Sequence, residues 1–90
     1  MSASSDLYRL AVDMDQFYWD YDTYGYWDVV ESREEGVEMI YNLLLVGEVE
    51  GYTESIRESV RYMIEDDPVY NRSLITLGKS ILRRLDEYFD

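Results

Sequence analysis

The chain contains no cysteine and no histidine. Disulfides, thiolate nucleophiles, the commonest metal ligand and the commonest general base are thereby removed together. The protein is accordingly expected not to be an enzyme and to carry no cofactor. One proline and five glycines among 90 residues leave little material for long loops. No apolar run approaches the roughly 20 residues of a membrane span, and Met1 to Asp6 lacks the basic and apolar regions of a secretory signal, so a cytoplasmic protein is expected. Cations are scarce too: 8 Lys and Arg face 20 Asp and Glu, for a formal net charge of -12. A field of that sign repels DNA, RNA and anionic lipid and speeds encounter with basic proteins. The expected partner is therefore a basic protein, with no direct nucleic-acid or membrane contact.

What is present describes a folded domain. Hydrophobic residues make up 47% and charged residues 31%, the balance of a globular chain, and 90 residues suit one domain, 1–90, with a modest core. The negative charge is unevenly placed. Through Glu35 only Arg9 and Arg33 oppose the acids, and from Gly36 to Pro68 only Arg57 and Arg61 do, whereas from Val69 onward Arg72, Lys79, Arg83 and Arg84 outnumber Asp86, Glu87 and Asp90. Such a surface also serves plain solubility. A monomer or weak dimer is expected.

Apolar spacing is helical along most of the chain. Leu7, Leu10, Ala11, Met14, Phe17, Tyr18 and Tyr21 recur in steps of three and four and predict a helix from Asp6 to Tyr21. A connector through Asp22, Thr23, Tyr24 and Gly25 follows. Val30, Val37, Ile40, Tyr41 and Leu44 form one stripe of a long second helix that Gly47 is placed to end. Thr53 starts a third as its N-cap, with Ile56, Val60, Met63 and Ile64 inward, until Asp66, Asp67 and Pro68 stop it. The fourth uses Leu74, Leu77, Ile81, Leu85 and Tyr88 and tolerates Gly78. The expected fold is all-α, a small single-domain bundle of about four helices, with Met14, Val37, Ile40, Leu44, Val60, Ile64, Leu77, Ile81 and Leu85 buried together.

Between Asp13 and Asp28 lie seven aromatic residues and five aspartates with no Lys or Arg. Rings supply contact area at low entropic cost and carboxylates supply directed charge, a mixture suited to gripping a basic partner. On the expected second helix Asp28, Glu31, Glu35 and Glu38 share a stripe with neighbours about 5 to 6 Å apart. That is close to the phosphate spacing of a nucleic-acid strand, and it is equally the pattern of an ordinary solvated face. The residues expected to bind a partner are Asp13, Asp15, Trp19, Asp20, Asp22, Tyr24, Tyr26, Asp28, Glu31, Glu35 and Glu38.

A second pattern overlaps the first. Asp20, Asp22, Gly25, Asp28 and Glu31 occupy positions 1, 3, 6, 9 and 12 of a calcium-binding helix-loop-helix spacing. Tyr24 stands at position 5, where an oxygen donor belongs, and no second loop accompanies the first. Calcium ligation by Asp20, Asp22, Asp28 and Glu31 is therefore the weaker alternative, and the expectation is no metal site.

The run Asp20-Tyr21-Asp22-Thr23-Tyr24-Gly25-Tyr26-Trp27-Asp28-Val29-Val30-Glu31-Ser32-Arg33-Glu34 resembles the signature of large polyvalent-protein-associated domains carried on conjugative elements and plasmids of Gram-positive bacteria. The likeness extends upstream through Val12-Asp13-Met14-Asp15 and loosely downstream into the Arg- and Leu-rich C-terminal segment. The resemblance implies a small counter-defence factor: an anti-CRISPR blocking the basic groove of an RNA-guided nuclease, or an anti-restriction protein. A calcium-binding or structural helical module of a conjugation system is the alternative it leaves open.

Overall fold

A computed structural model of the chain describes residues 3–21, 25–51, 53–66 and 72–89. Its elements are α1 (Ala3–Tyr21), the single turn α2 (Tyr26–Val29), α3 (Arg33–Glu50), α4 (Thr53–Asp66) and α5 (Arg72–Phe89). There is no strand among the described residues, and the fold is an all-α bundle. Four long helices close a ring: α1 lies against α3 and α5, while α4 lies against α5 and, less extensively, α3. The Cα radius of gyration is 12.5 Å, close to the roughly 12 Å of a compact domain of this length.

The core follows from the helical stripes. Leu7, Leu10, Ala11, Met14 and Phe17 from α1 meet Val37, Ile40 and Leu44 from α3, Ile56, Val60, Met63 and Ile64 from α4, and Leu74, Ile81 and Leu85 from α5 in one cluster. Eight of the nine positions expected inside are buried. Leu77 is only half-buried and packs on the cluster's edge; the position that shares the buried stripe of Leu74, Ile81 and Leu85 is Gly78. A Cβ at Gly78 would stand 2.7 Å from Ile64 Cδ1 and 2.9 Å from Phe17 Cε1, so the glycine is what lets α5 approach α4 and α1 this closely.

Several boundaries differ from expectation. The first helix starts earlier, at Ala3. The expected second helix is broken: α2 ends at Val29, Val30 is extended (φ -113°, ψ 122°), and α3 starts afresh behind Ser32. The cause is local. Ser32 Oγ accepts from Glu35 N at 3.2 Å, and Glu35 Oε2 accepts from Glu31 N at 3.2 Å, so a Ser-x-x-Glu box caps a new helix instead of continuing the old one. At the other end Gly47 is buried within α3 and its carbonyl accepts from Gly51 N at 2.9 Å. Gly51, at φ 79°, takes the left-handed conformation that ends helices. The described part of α4 reaches Asp66, and Thr53, expected as its N-cap, is instead its first helical residue. Asp67 and Pro68, expected to stop it, lie outside the described residues.

Candidate partner-binding surface

The corner where α1, α2 and α3 meet is organised around one buried carboxylate. Asp15 faces into the bundle from α1 with 1% of its surface exposed. A charge in that position needs hydrogen-bonded partners to offset its desolvation. Tyr26 of α2 donates its hydroxyl to Asp15 Oδ1 at 2.6 Å, and Arg33 of α3 donates Nε to Asp15 Oδ2 at 2.9 Å. Arg33 also donates Nη2 to Gln16 Oε1 and sets its guanidinium 5.7 Å from the Trp19 ring centroid, a cation–π distance. Room for this network comes from Gly36, where a methyl group would overlap both the Asp15 carboxylate and the Tyr26 hydroxyl.

Rings complete the corner. Trp19 meets Tyr26 edge-on at 5.8 Å and 90° between planes, and Tyr18 meets Tyr26 at 5.5 Å, geometries that aromatic pairs favour. Further along α1, Tyr21 donates its hydroxyl to the Met63 carbonyl at 2.8 Å, joining α1 to α4. Burial pushes the Tyr18 phenol up to about 12, with a hydrogen bond to Ser59 working the other way. Tyr26 is held well above the ordinary phenol range, first by burial and then by its hydrogen bond to Asp15 and that group's charge.

Of the residues expected to bind a partner, the structure turns two inward. Asp15 and Tyr26 are structural members of the core, buried and bonded to each other, which corrects their assignment to an outer face. Trp19 is half-buried and packs on the core as well as on Arg33. Asp13 is paired with Arg84 Nη2 of α5 at 2.6 Å, so its charge is locally matched. Asp20, Asp28, Glu31, Glu35 and Glu38 are exposed. They do not form one helical stripe, because the break at Val30 puts Asp28 on α2, Glu31 in the connector and the other two on α3. Asp22 and Tyr24 lie outside the described residues, as does the side chain of Trp27.

Gly36, Arg33 and Ser32 were missed as determinants of this corner. The Ser32-Arg33-Glu34-Glu35 box was legible as a helix start; nothing in the sequence marks Gly36 as facing a carboxylate. The calcium-like spacing is interrupted by α2, which spans its positions 7 to 10 as a helical turn. Among the described residues no three acidic side chains gather as metal ligands, and Asp20 instead accepts from Gln16 Nε2 at 2.7 Å. A cleft of about 430 Å³ between α1 and α5, lined by Asp6, Arg9, Leu10, Arg84, Glu87 and Tyr88, includes none of the expected residues. No helix among the described residues is long and apolar enough to cross a membrane.

No family model matches the chain, and no curated protein and no solved structure is similar to it. The resemblance stated above thus rests on the Asp20–Glu34 signature.

Proposed function

We propose that this protein is a non-enzymatic inhibitor that docks its acidic α2–α3 corner into the basic nucleic-acid groove of a defence enzyme, most concretely an RNA-guided nuclease. One observation carries the reading. Asp20, Asp28, Glu31, Glu34, Glu35 and Glu38 are exposed around this corner, while Arg33, the one cation among its described residues, is half-exposed and already paired with the buried Asp15. Six exposed carboxylates thus outnumber a single guanidinium whose charge Asp15 matches, and the outward field stays negative. Grooves that hold a nucleic-acid backbone are lined by Lys and Arg, and a fixed acidic knob competes for those side chains. The resemblance of the Asp20–Glu34 run to domains of conjugative elements points the same way, since such elements encounter host nucleases.

The test is inhibition of target cleavage by a purified RNA-guided nuclease. Reversing Asp28, Glu31 and Glu38 to Lys should weaken inhibition by more than tenfold, whereas reversing Glu48, Glu65 and Glu87, an equal change of net charge, should change it by less than about threefold. Inhibition should also weaken as salt rises. Inhibition that survives the first triple reversal, or absence of binding to both RNA-guided and restriction nucleases, would overturn the proposal.

A further inference from the structure

Helix α3 is apolar on two sides. Its inward stripe of Gly36, Ile40, Leu44 and Gly47 is buried, yet Met39, Leu43 and Val46 remain 40%, 40% and 43% exposed and Val49 85% exposed. At about 100° per residue, Glu35, Met39, Leu43, Val46 and Glu50 fall within an arc of about 80°, about a third of a turn from the buried stripe. They make one ridge in steps of four, four, three and four. Its middle is apolar and both ends are acidic, with Glu38 and Asn42 along one flank. No Lys or Arg follows Arg33 on this helix. Neighbouring α4 touches α3 only lightly and leaves the ridge open.

We infer that this ridge is a second docking surface, whose occupant is an amphipathic helix with an apolar stripe and a basic residue at each end. Charge complementarity chooses that occupant. Glu35 and Glu50 are 15 residues apart, which is about 22 Å along a helix, so the partner's cations stand at that separation with apolar side chains between them. A second copy of this chain fails the same criterion. Antiparallel pairing of two ridges would set Glu35 against the copy's Glu50, parallel pairing would set like against like, and a net charge of -12 on each copy adds to the repulsion. Burying the three central side chains against a complementary stripe supplies the apolar centre, and the end charges set orientation and register. This surface requires no nuclease; it meets the α2–α3 corner at Glu35 and Glu38 and differs from it in its apolar centre of Met39, Leu43 and Val46.

The experiment uses the full chain and two synthetic helical peptides that share a Leu stripe, one with Lys and one with Glu at positions 15 residues apart. Binding is read by fluorescence anisotropy of the labelled peptide. The Lys-ended peptide should bind saturably, and the Glu-ended peptide at least tenfold more weakly. Leu43→Glu should reduce binding of the Lys-ended peptide at least tenfold, with the helical circular dichroism of the protein unchanged. Glu50→Lys, which leaves the apolar centre intact, should narrow the difference between the two peptides. Asp20→Lys with Asp28→Lys should leave peptide binding within about threefold, which separates this surface from the corner. Equal binding of both peptides, binding indifferent to Leu43→Glu, or no binding would overturn the inference. Dimerisation of the protein abolished by Leu43→Glu would overturn it in favour of a second copy.

Discussion

At the α1–α3 contact a carboxylate is buried, whereas at the α4–α5 contact the described charged side chains all keep some access to solvent. Asp15 is enclosed and bonded by Tyr26 and Arg33. On the far side Arg57 bridges Glu54 at 2.6 Å and Asp86 at 3.3 Å, and Arg61 pairs with Glu58 at 2.9 Å; the acids of these pairs are more than half exposed. Both regions use Arg with carboxylates, but with different consequences. The enclosed Asp15 must keep its donors, because losing one strands its charge away from water, whereas Glu54, Glu58 and Asp86 stay solvated when their partner is lost. The α1–α2–α3 corner is therefore held in one shape, and the outward acids it carries are held with it.

The largest break in that comparison should come from Arg33→Met. It leaves Asp15 enclosed with Tyr26 alone, and a loss of about 3 kcal/mol or more is expected, read from the midpoint of urea unfolding. Truncating the shared core should cost both regions alike: Ile40→Ala and Ile81→Ala, at two fully enclosed sites, are each expected to lose about 2 to 5 kcal/mol in the same measurement. A large inequality between them would show that the two sides do not unfold together.

Tyr26→Phe should cost about 1 to 3 kcal/mol, because Asp15 loses a donor it cannot replace with water. Tyr18 and Tyr26 also predict an alkaline limit. Each holds its proton in the folded state above the ordinary phenol value near 10, Tyr18 up to about 12. From pH 10 upward the unfolded chain releases protons that the folded chain keeps, so stability falls as pH rises through that window. Tyr18→Phe with Tyr26→Phe should flatten this fall, as followed by unfolding at pH 9 and pH 11. The smallest effect is expected at the opposite side: Arg61→Met removes a pair on one face of α4 and should change stability by about 0.5 kcal/mol or less. Glu54, held below the usual carboxylate range first by its hydrogen bond from Arg57 and then by that group's charge, belongs to the same solvated class.

Much of the bundle was legible because its helices are amphipathic. Periodicity alone located α1, α4 and α5, and eight of the nine expected core positions, since a stripe at steps of three and four has only one side on which to bury. It failed on α3. Val30 and Val37 are in phase with one continuous helix, so a stripe-based reading ran straight through the break that the Ser32–Glu35 box imposes. The same reading overlooked the outer ridge, because Met39, Leu43 and Val46 look like ordinary helix formers until the opposite side is known to face the core.

The candidate surface divides along the same line. That residues 13–38 would carry an acidic, ring-rich face is a matter of composition, and net charge is additive along the chain whatever its conformation. Which carboxylate turns inward is not. Asp15 and Asp20 have the same side chain and similar neighbours in sequence, and Asp15 is buried only because Tyr26, Arg33 and the missing side chain of Gly36 converge on it from two other elements. Sequence by itself determined the helical class, the sign of the field and most of the core, all of which depend on side-chain type and local spacing. Only the tertiary structure decided which acids face outward, where the second helix breaks and which apolar stripe of α3 is left uncovered, because burial depends on contacts between residues distant in the chain.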